Sequence, residues 1–203
     1  MTPAGIYLYG PDPETKNRVL RKYSEHIDYF LRVQFCDEDG QQVRYNPQVS
    51  NDRIFYSRFK SVLNNGFNIA GRQYGFLGFS HSSLRSQSCW FMAPFTYQGT
   101  LHLYQKVIQD LGDFSQIHCP AKCAARIGQA FSDTPNAIPL GSVEVVDIPD
   151  VTRNGRVFSD GVGTFSPSVL KQILDALPKK HLVKPTVFQI RHSGAYRLYA
   201  VNN

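Results

Sequence analysis

The chain has 203 residues, enough for one ordinary domain or parts of two, and its 42% hydrophobic, 13% aromatic and 19% charged residues exclude a disordered, collagen-like or coiled-coil protein. The 22 Lys and Arg residues outnumber the 16 Asp and Glu residues, so the net charge of +6 permits a polyanionic partner without requiring one. No apolar run approaches the roughly 18 residues of a membrane span, which predicts an intracellular protein of the cytoplasm or nucleus.

Several common sites are excluded by spacing. The four cysteines, Cys36, Cys89, Cys119 and Cys123, include no C-x-x-C pair, so we predict reduced or buried thiols and no zinc site. The six histidines show no helical spacing for metal ligands. The sequence also lacks a P-loop, a G-x-G-x-x-G turn, a G-x-S-x-G elbow and an H-E-x-x-H helix, which excludes those enzyme classes.

The N-terminal half predicts strands and helices in alternation. The predicted strands are 6–9, 28–36, 76–79 and 89–92, and the predicted helices are 14–25, 50–64 and 99–111. Asp39-Gly40 suits a tight turn, which would pair residues 30–36 with residues 42–45 as a hairpin. Asn64-Asn65-Gly66 and Gly112 suit the ends of helices.

The C-terminal half continues the mixed pattern. The predicted helices are 120–131 and 166–177, and the predicted strands are 143–148, 157–159, 187–190 and 198–201. Pro120 and Ser166-Pro167 are typical of helix starts, and Asn154-Gly155 is typical of a hairpin turn. The pattern as a whole predicts an α+β fold.

Residues 53–109 contain no Asp or Glu, six Lys or Arg and twelve aromatic residues. A segment without carboxylates lets cations meet phosphates and leaves rings available for stacking on bases. This composition favours a surface that faces nucleic acid. The alternative is that most of these rings belong to the core and that the basic residues are only solvated.

The predicted helix at 120–131 offers a row of hydrogen-bond donors. Lys122, Arg126 and Gln129 are spaced i, i+4 and i+7, so they share one face, which suits phosphate oxygens or a sugar hydroxyl. The opposite face carries Ala and Gly, which indicates close packing against a neighbour. Asp160 lies in the tight turn Ser159-Asp160-Gly161, where it either contacts a ligand or bonds to its own backbone.

Five segments together resemble the eukaryotic RNA-directed RNA polymerases of RNA silencing, most closely the fungal members. The segments are residues 75–91 (GFLGFSHSSLRSQSCWF), 112–115 (GDFS), 120–134 (PAKCAARIGQAFSDT), 157–163 (VFSDGVG) and 188–191 (FQIR). They occur in the family's order at plausible spacing, so the match is specific.

The resemblance implies a strand-and-helix region, residues 1–115, that leads into a partial first double-psi β-barrel with inserted helices, residues 116–203. In the family two such barrels face each other. The implied reaction copies single-stranded RNA into double-stranded RNA from nucleoside triphosphates. The second barrel would come from a missing C-terminal region or from a second chain.

The same resemblance implies Mg²⁺ in the complete enzyme, held by a D-x-D-G-D loop of the second barrel. Asp37-Glu38-Asp39-Gly40-Gln41 is similar in letters, but it precedes the other motifs and ends in Gln, so we predict a structural turn there. The family's R-Y-G-G-x-K-G segment corresponds to residues 191–197 (RHSGAYR), where Tyr196 replaces the lysine that contacts phosphate. We therefore expect this chain alone to bind no catalytic metal and to be inactive.

The residues expected to contact RNA or nucleotide are Arg85, Lys122, Arg126, Gln129, Asp160 and Arg191. Two other functions stay open: a non-catalytic RNA-binding or scaffold module of small-RNA pathways, and a fragment that does not fold stably without its partner barrel.

Overall fold

The computed structural model describes residues 1–10, 15–44, 54–135, 138, 143–159, 161–177, 185–192 and 195–201. The chain divides into two compact units, Met1–Thr134 and Pro135–Asn203. Both mix helices and strands, as predicted. No helix among the described residues has the length and apolarity that crossing a membrane requires.

The first unit is built on a four-stranded antiparallel sheet in the order β1-β4-β3-β2. Its strands are β1 Phe30–Gln34, β2 Phe67–Ile69, β3 Arg72–Gly78 and β4 Ser88–Met92. A separate hairpin joins β5 Phe95–Tyr97 to β6 Thr100–His102. The helices are α1 Arg18–Lys22, a 3-10 segment Ser24–Tyr29, a π-helix Ile54–Phe59, α2 Lys60–Asn65, α3 His81–Arg85, α4 Tyr104–Gln109, α5 Pro120–Gly128 and a 3-10 turn Gln129–Phe131.

Every residue of β4 is buried, because this strand has a hydrophobic cluster on each face. Successive side chains of a strand point to opposite faces. Trp90 and Met92 enter one cluster with α1, α4 and Phe131, whereas Cys89 and Phe91 enter the other with Phe59. Helices therefore cover both faces of the sheet.

The predicted strand at 6–9 is wrong, since these described residues form no strand and their apolar side chains are exposed. The predicted hairpin of residues 30–36 with 42–45 is also wrong, although the turn at Gly40 forms with φ 77°. Strand β1 pairs with β4 instead. The Gln87 side-chain amide bonds the backbone of Val43 twice, accepting from its N–H and donating to its C=O, both at 2.8 Å.

The predicted helix at 99–111 begins too early. Residues 95–102 form the β5–β6 hairpin, whose turn residues Gln98 and Gly99 have φ of 50° and 75°. Helix α4 starts only at Tyr104. The predicted helix at 14–25 is shorter as well, because α1 begins after Asn17, whose Oδ1 accepts from the Leu20 N–H.

The second unit contains a mixed three-stranded sheet in the order β10-β11-β9 and a small hairpin. Its elements are the hairpin strands β7 Thr152–Arg153 and β8 Arg156–Val157, then β9 Val162–Phe165, α6 Pro167–Ala176, β10 Val187–His192 and β11 Ala195–Val201. Strand β11 pairs antiparallel with β10 and parallel with β9. Rings of Phe165, Phe188 and Tyr199 pack together on this sheet.

The hairpin turn and the helix start that the sequence predicts in the second unit are confirmed. Asn154 and Gly155 make the predicted hairpin turn with φ of 51° and 70°. The Ser166 Oγ caps α6, which buries Leu170 and Ile173. The strand predicted at 143–148 is wrong, because these described residues form no strand and Val145 and Ile148 are exposed.

Candidate nucleic-acid interface

Helix α5 presents the basic residues that the sequence predicts on one face. Pro120 occupies its first turn, where a missing N–H costs nothing. Lys122 and Arg126 are exposed one turn apart, and Gln129 follows half-buried in the 3-10 turn that continues the helix to Phe131. The first turn of α5 has no acidic residue, so its positive end is not neutralised within the helix.

The opposite face of α5 lies against the end of β3, which explains its small residues. A Cβ added at Gly128 would lie 2.5 Å from the carbonyl oxygen of Phe79 and 3.8 Å from the Cα of Ser80. At Gly78, an added Cβ would overlap the ring of Phe131. The predicted close packing is confirmed, and it fixes the basic face of α5 relative to the sheet.

Helix α3, which carries Arg85, starts at the point where α5 ends. Ser80 caps α3: its Oγ accepts from the Ser83 N–H at 3.1 Å, and its own N–H donates to the Ser83 Oγ at 2.7 Å. Arg85 lies in the last turn with its side chain exposed, and its carbonyl oxygen accepts from the Gln42 amide. The structure therefore brings α3 and α5 together at Phe79 and Ser80.

The acid-free segment 53–109 divides into core and surface residues. Nine of its twelve aromatic residues are buried or half-buried, so the core alternative holds for most of them. The three exposed rings are Phe55, Tyr56 and Tyr104.

Two of the basic residues in that segment have structural partners. The Arg72 guanidinium lies 4.5 Å from the centroid of the Tyr29 ring and donates to the Asp28 carbonyl oxygen. Lys106 pairs with Asp110 at 2.8 Å. Arg58, Lys60 and Arg85 have exposed side chains that remain candidates for contact with a polyanion.

Asp110 lies at the centre of a polar cluster that sequence reasoning missed. Its carboxylate accepts from Lys106 Nζ at 2.8 Å, Tyr23 Oη at 2.9 Å and Lys22 Nζ at 3.1 Å, and His102 Nε2 lies 3.6 Å away. These donors, Lys106 foremost, hold the pKa of Asp110 well below its usual range although partial burial opposes them. Burial, followed by the bond to Asp110, raises the pKa of Tyr23.

The Asp110 cluster links α1 to α4 through hydrogen bonds and ion pairs. Its charge is balanced by two lysines, so the carboxylate has no excess negative charge to offer a metal ion. Only the i, i+4 spacing of Lys106 and Asp110 was visible in the sequence. Lys22 and Tyr23 are 88 and 87 residues away along the chain.

The remaining predicted positions are Asp160, Arg191 and the turn at Asp37–Gln41. Asp160 lies outside the described residues. Arg191 belongs to β10, where its backbone is paired in register with Tyr196 of β11. At Asp37–Gln41 the predicted structural turn forms, and the carboxylates of Asp37 and Asp39 accept from the N–H groups of Glu38 and Gln41.

The described residues do not fit a catalytic magnesium site. Among them no group of three or more His, Cys, Asp or Glu side chains comes together in a way that could hold a metal ion. A Mg²⁺ ion that serves phosphoryl transfer takes oxygen ligands, usually from one or two carboxylates together with substrate phosphates. The carboxylates described above are instead engaged by lysines or by backbone amides.

Comparison with known proteins gives a consistent result. The sequence model of the family described as RNA dependent RNA polymerase matches residues 1–202. RNA-dependent RNA polymerase 1 of Arabidopsis thaliana is 38% identical over 213 residues, which cover 100% of this chain and 19% of that protein. RNA-dependent RNA polymerase 1 of Schizosaccharomyces pombe is 33% identical over 195 residues, which cover 96% of this chain and 16% of that protein.

A solved structure shares the fold. It is the RNA dependent RNA polymerase QDE-1 from Thielavia terrestris, which superposes with a TM-score of 0.66 at 18% identity and covers 92% of this chain and 21% of its own. The chain spans about a fifth of the length of these relatives.

Proposed function

Because this chain belongs to the RNA-dependent RNA polymerase family, we propose that it forms part of an RNA-directed RNA polymerase and contributes a surface that contacts RNA. The complete enzyme would copy single-stranded RNA into double-stranded RNA from nucleoside triphosphates, inside the cell, in the cytoplasm or nucleus. The observation that carries the proposal is the exposed pair Lys122 and Arg126 on α5, a helix held firmly against the sheet.

A rigid basic helix suits this role for a physical reason. A lysine and an arginine one turn apart can contact successive phosphates, and each phosphate contact releases counterions from the RNA. Because Gly128 fixes α5 against Phe79, the two cations are positioned before RNA arrives, which lowers the entropic cost of binding. We propose further contacts to RNA or nucleotide from Arg85 on α3 and, in the second unit, from Arg191 and Asp160.

Residues 116–203 would contribute to the first double-psi β-barrel of this polymerase. The parallel pairing of β9 with β11 in a mixed sheet supports a barrel more than a simple hairpin meander. Large apolar side chains of this region are 44% to 69% exposed, namely Val145, Val146, Ile148, Val151, Val157, Phe158, Val162 and Val187. Such exposure supports contact with further polymerase elements, such as a second barrel in the same or another chain.

Catalytic Mg²⁺ would be bound elsewhere in the complete polymerase, since the described residues offer no fitting carboxylate group. The 203-residue chain alone is therefore expected to incorporate no labelled nucleotide on a single-stranded RNA template with Mg²⁺. Template-dependent incorporation would refute this expectation. A full-length enzyme that also binds RNA without incorporation would favour the RNA-binding scaffold instead.

The RNA contact is tested by a salt titration of the chain on a single-stranded oligonucleotide. Lys122→Ala with Arg126→Ala should weaken binding and lower the slope of log affinity against log salt by about 1.4, because each contact to single-stranded nucleic acid contributes about 0.7. Arg18→Ala with Lys171→Ala, two exposed residues on α1 and α6, removes the same net charge as a control. An unchanged slope in the first variant, or an equal change in the control, would refute α5 as the contact.

A further inference from the structure

The π-helix Ile54–Phe59 and the start of α2 hold an aromatic ring in solvent beside a cation. Tyr56 is 68% exposed, so most of this large amphipathic side chain meets solvent. Lys60 lies one turn further, with Nζ 5.4 Å from the centroid of the Tyr56 ring. A π-helix is rare in proteins and often accompanies a functional site.

The exposure of Tyr56 follows from the way this helix is anchored. Phe59 is buried and packs edge-to-face on Phe35, with ring centroids 5.0 Å apart. Phe55 packs on Phe59 at 5.9 Å. These contacts fix which side of the helix faces the core, and they leave Tyr56 on the solvent side. The Tyr56 ring therefore contributes little to the core.

The surroundings of Tyr56 favour a nucleic acid over a protein surface. Residues 53–109 contain no carboxylate, Lys60 lies over the ring, and the side chain of Arg58 is exposed on the same helix. Exposed aromatic rings beside cations are the usual means of binding single-stranded nucleic acid, because bases stack on the ring while phosphates meet the cations. Lys60 lies over the ring, and the 68% exposure of Tyr56 leaves ring surface on which a base can stack.

We propose that Tyr56 is a stacking site for a base of single-stranded RNA, with Lys60 contacting the adjoining phosphate. The proposal rests on the proposed function, because it assumes that this chain binds RNA. It adds a contact of a different physical kind: α5 would recognise charge, whereas Tyr56 would recognise an unstacked base. Duplex RNA, whose bases are already stacked, would not use this site.

The test compares an oligouridine with an abasic oligonucleotide of the same length and charge, both bound to the 203-residue chain. Tyr56→Ala should weaken binding of the oligouridine about fivefold or more and leave binding of the abasic strand unchanged. Tyr56→Phe should retain the affinity for oligouridine. Tyr104→Ala removes another exposed tyrosine, on α4, and should change neither affinity.

The outcomes separate the two proposals. Equal affinities of wild type and Tyr56→Ala for oligouridine would overturn the stacking site and would indicate that the ring serves a protein contact. An equal loss on both strands would also overturn it, since stacking requires a base. A wild-type chain that binds neither strand would refute the proposed function itself. The Lys122 and Arg126 double variant should weaken both strands alike, because it removes charge contacts only.

Discussion

Replacing Gly128 by alanine should destabilise the first unit, although alanine is ordinarily the better helix former. The added Cβ would lie 2.5 Å from the Phe79 carbonyl oxygen, which belongs to the backbone and cannot rotate away. An unstrained contact between heavy atoms needs about 3.5 Å, so the end of α5 must move by about 1 Å relative to β3.

The size of the effect comes from two opposing contributions. Overpacking in a well-packed site costs about 1–3 kcal/mol. The gain in helix propensity is at most about 1 kcal/mol and smaller here, because Gly128 is the last residue of α5. The net loss should be about 1–2 kcal/mol, equivalent to a melting temperature about 4–8 °C lower for a unit of this size.

The single tryptophan provides the assay. Trp90 is buried in the core of the first unit, so its fluorescence during thermal unfolding reports on that unit. Gly75→Ala is the control, because a Cβ there would meet no heavy atom within 4 Å and should leave the melting temperature unchanged or slightly higher. A melting temperature of Gly128→Ala at or above that of the wild type would refute the close-packing argument.

Two further predictions concern the same unit. Asp110→Asn should lower the free energy of unfolding at pH 7 by about 1 kcal/mol, because the amide loses charge-assisted bonds. Since the pKa of Asp110 is lowered on folding, its contribution is complete above the unfolded pKa of about 4 and falls progressively in more acidic solution. The urea midpoints of variant and wild type should therefore begin to converge below about pH 4, and equal midpoints at pH 7 would contradict this. Burial raises the pKa of Cys89 to about 12. A thiol reagent at pH 8 should therefore modify the exposed Cys119 in the native chain and Cys89 only after unfolding, as mapped by mass spectrometry. Rapid labelling of Cys89 in the native chain would contradict its burial.

Sequence reasoning succeeded where the information is local. The Asn154-Gly155 turn has a composition that favours positive φ at both positions, and it formed as predicted. Gln98-Gly99 adopts a similar backbone with φ of 50° and 75°, but glutamine is not typical of this turn, so the sequence predicts a helix from residue 99 where strand β6 lies.

Strand pairing, in contrast, depends on contacts that are distant in sequence. Residues 6–9 and 143–148 alternate like strands, yet the described structure gives them no strand partner and exposes most of their apolar side chains. Strand β1 pairs with β4, more than fifty residues away, where a local hairpin was predicted. A strand needs a partner, and the period of its side chains does not identify one.

In the candidate site, too, features set by neighbouring residues could be predicted and contacts between distant residues could not. The helical period correctly placed Lys122 and Arg126 on one exposed face, since both lie within nine residues of a single helix. The contact that anchors the helix of Tyr56 could not be predicted, because Phe59 packs against Phe35, a residue from another part of the chain. Composition identified the segment, and the structure separated its three exposed rings from its buried and half-buried rings.

The double hydrogen bond from Gln87 to Val43 has a consequence for how the fold tolerates change. The carboxamide behaves toward Val43 as the peptide group of a neighbouring strand would, so both backbone groups of Val43 are satisfied and are not offered for pairing with a strand of another molecule. Position 87 is thereby constrained by amide chemistry: glutamate would preserve the shape but remove the donor, and leucine would remove both hydrogen-bonding groups.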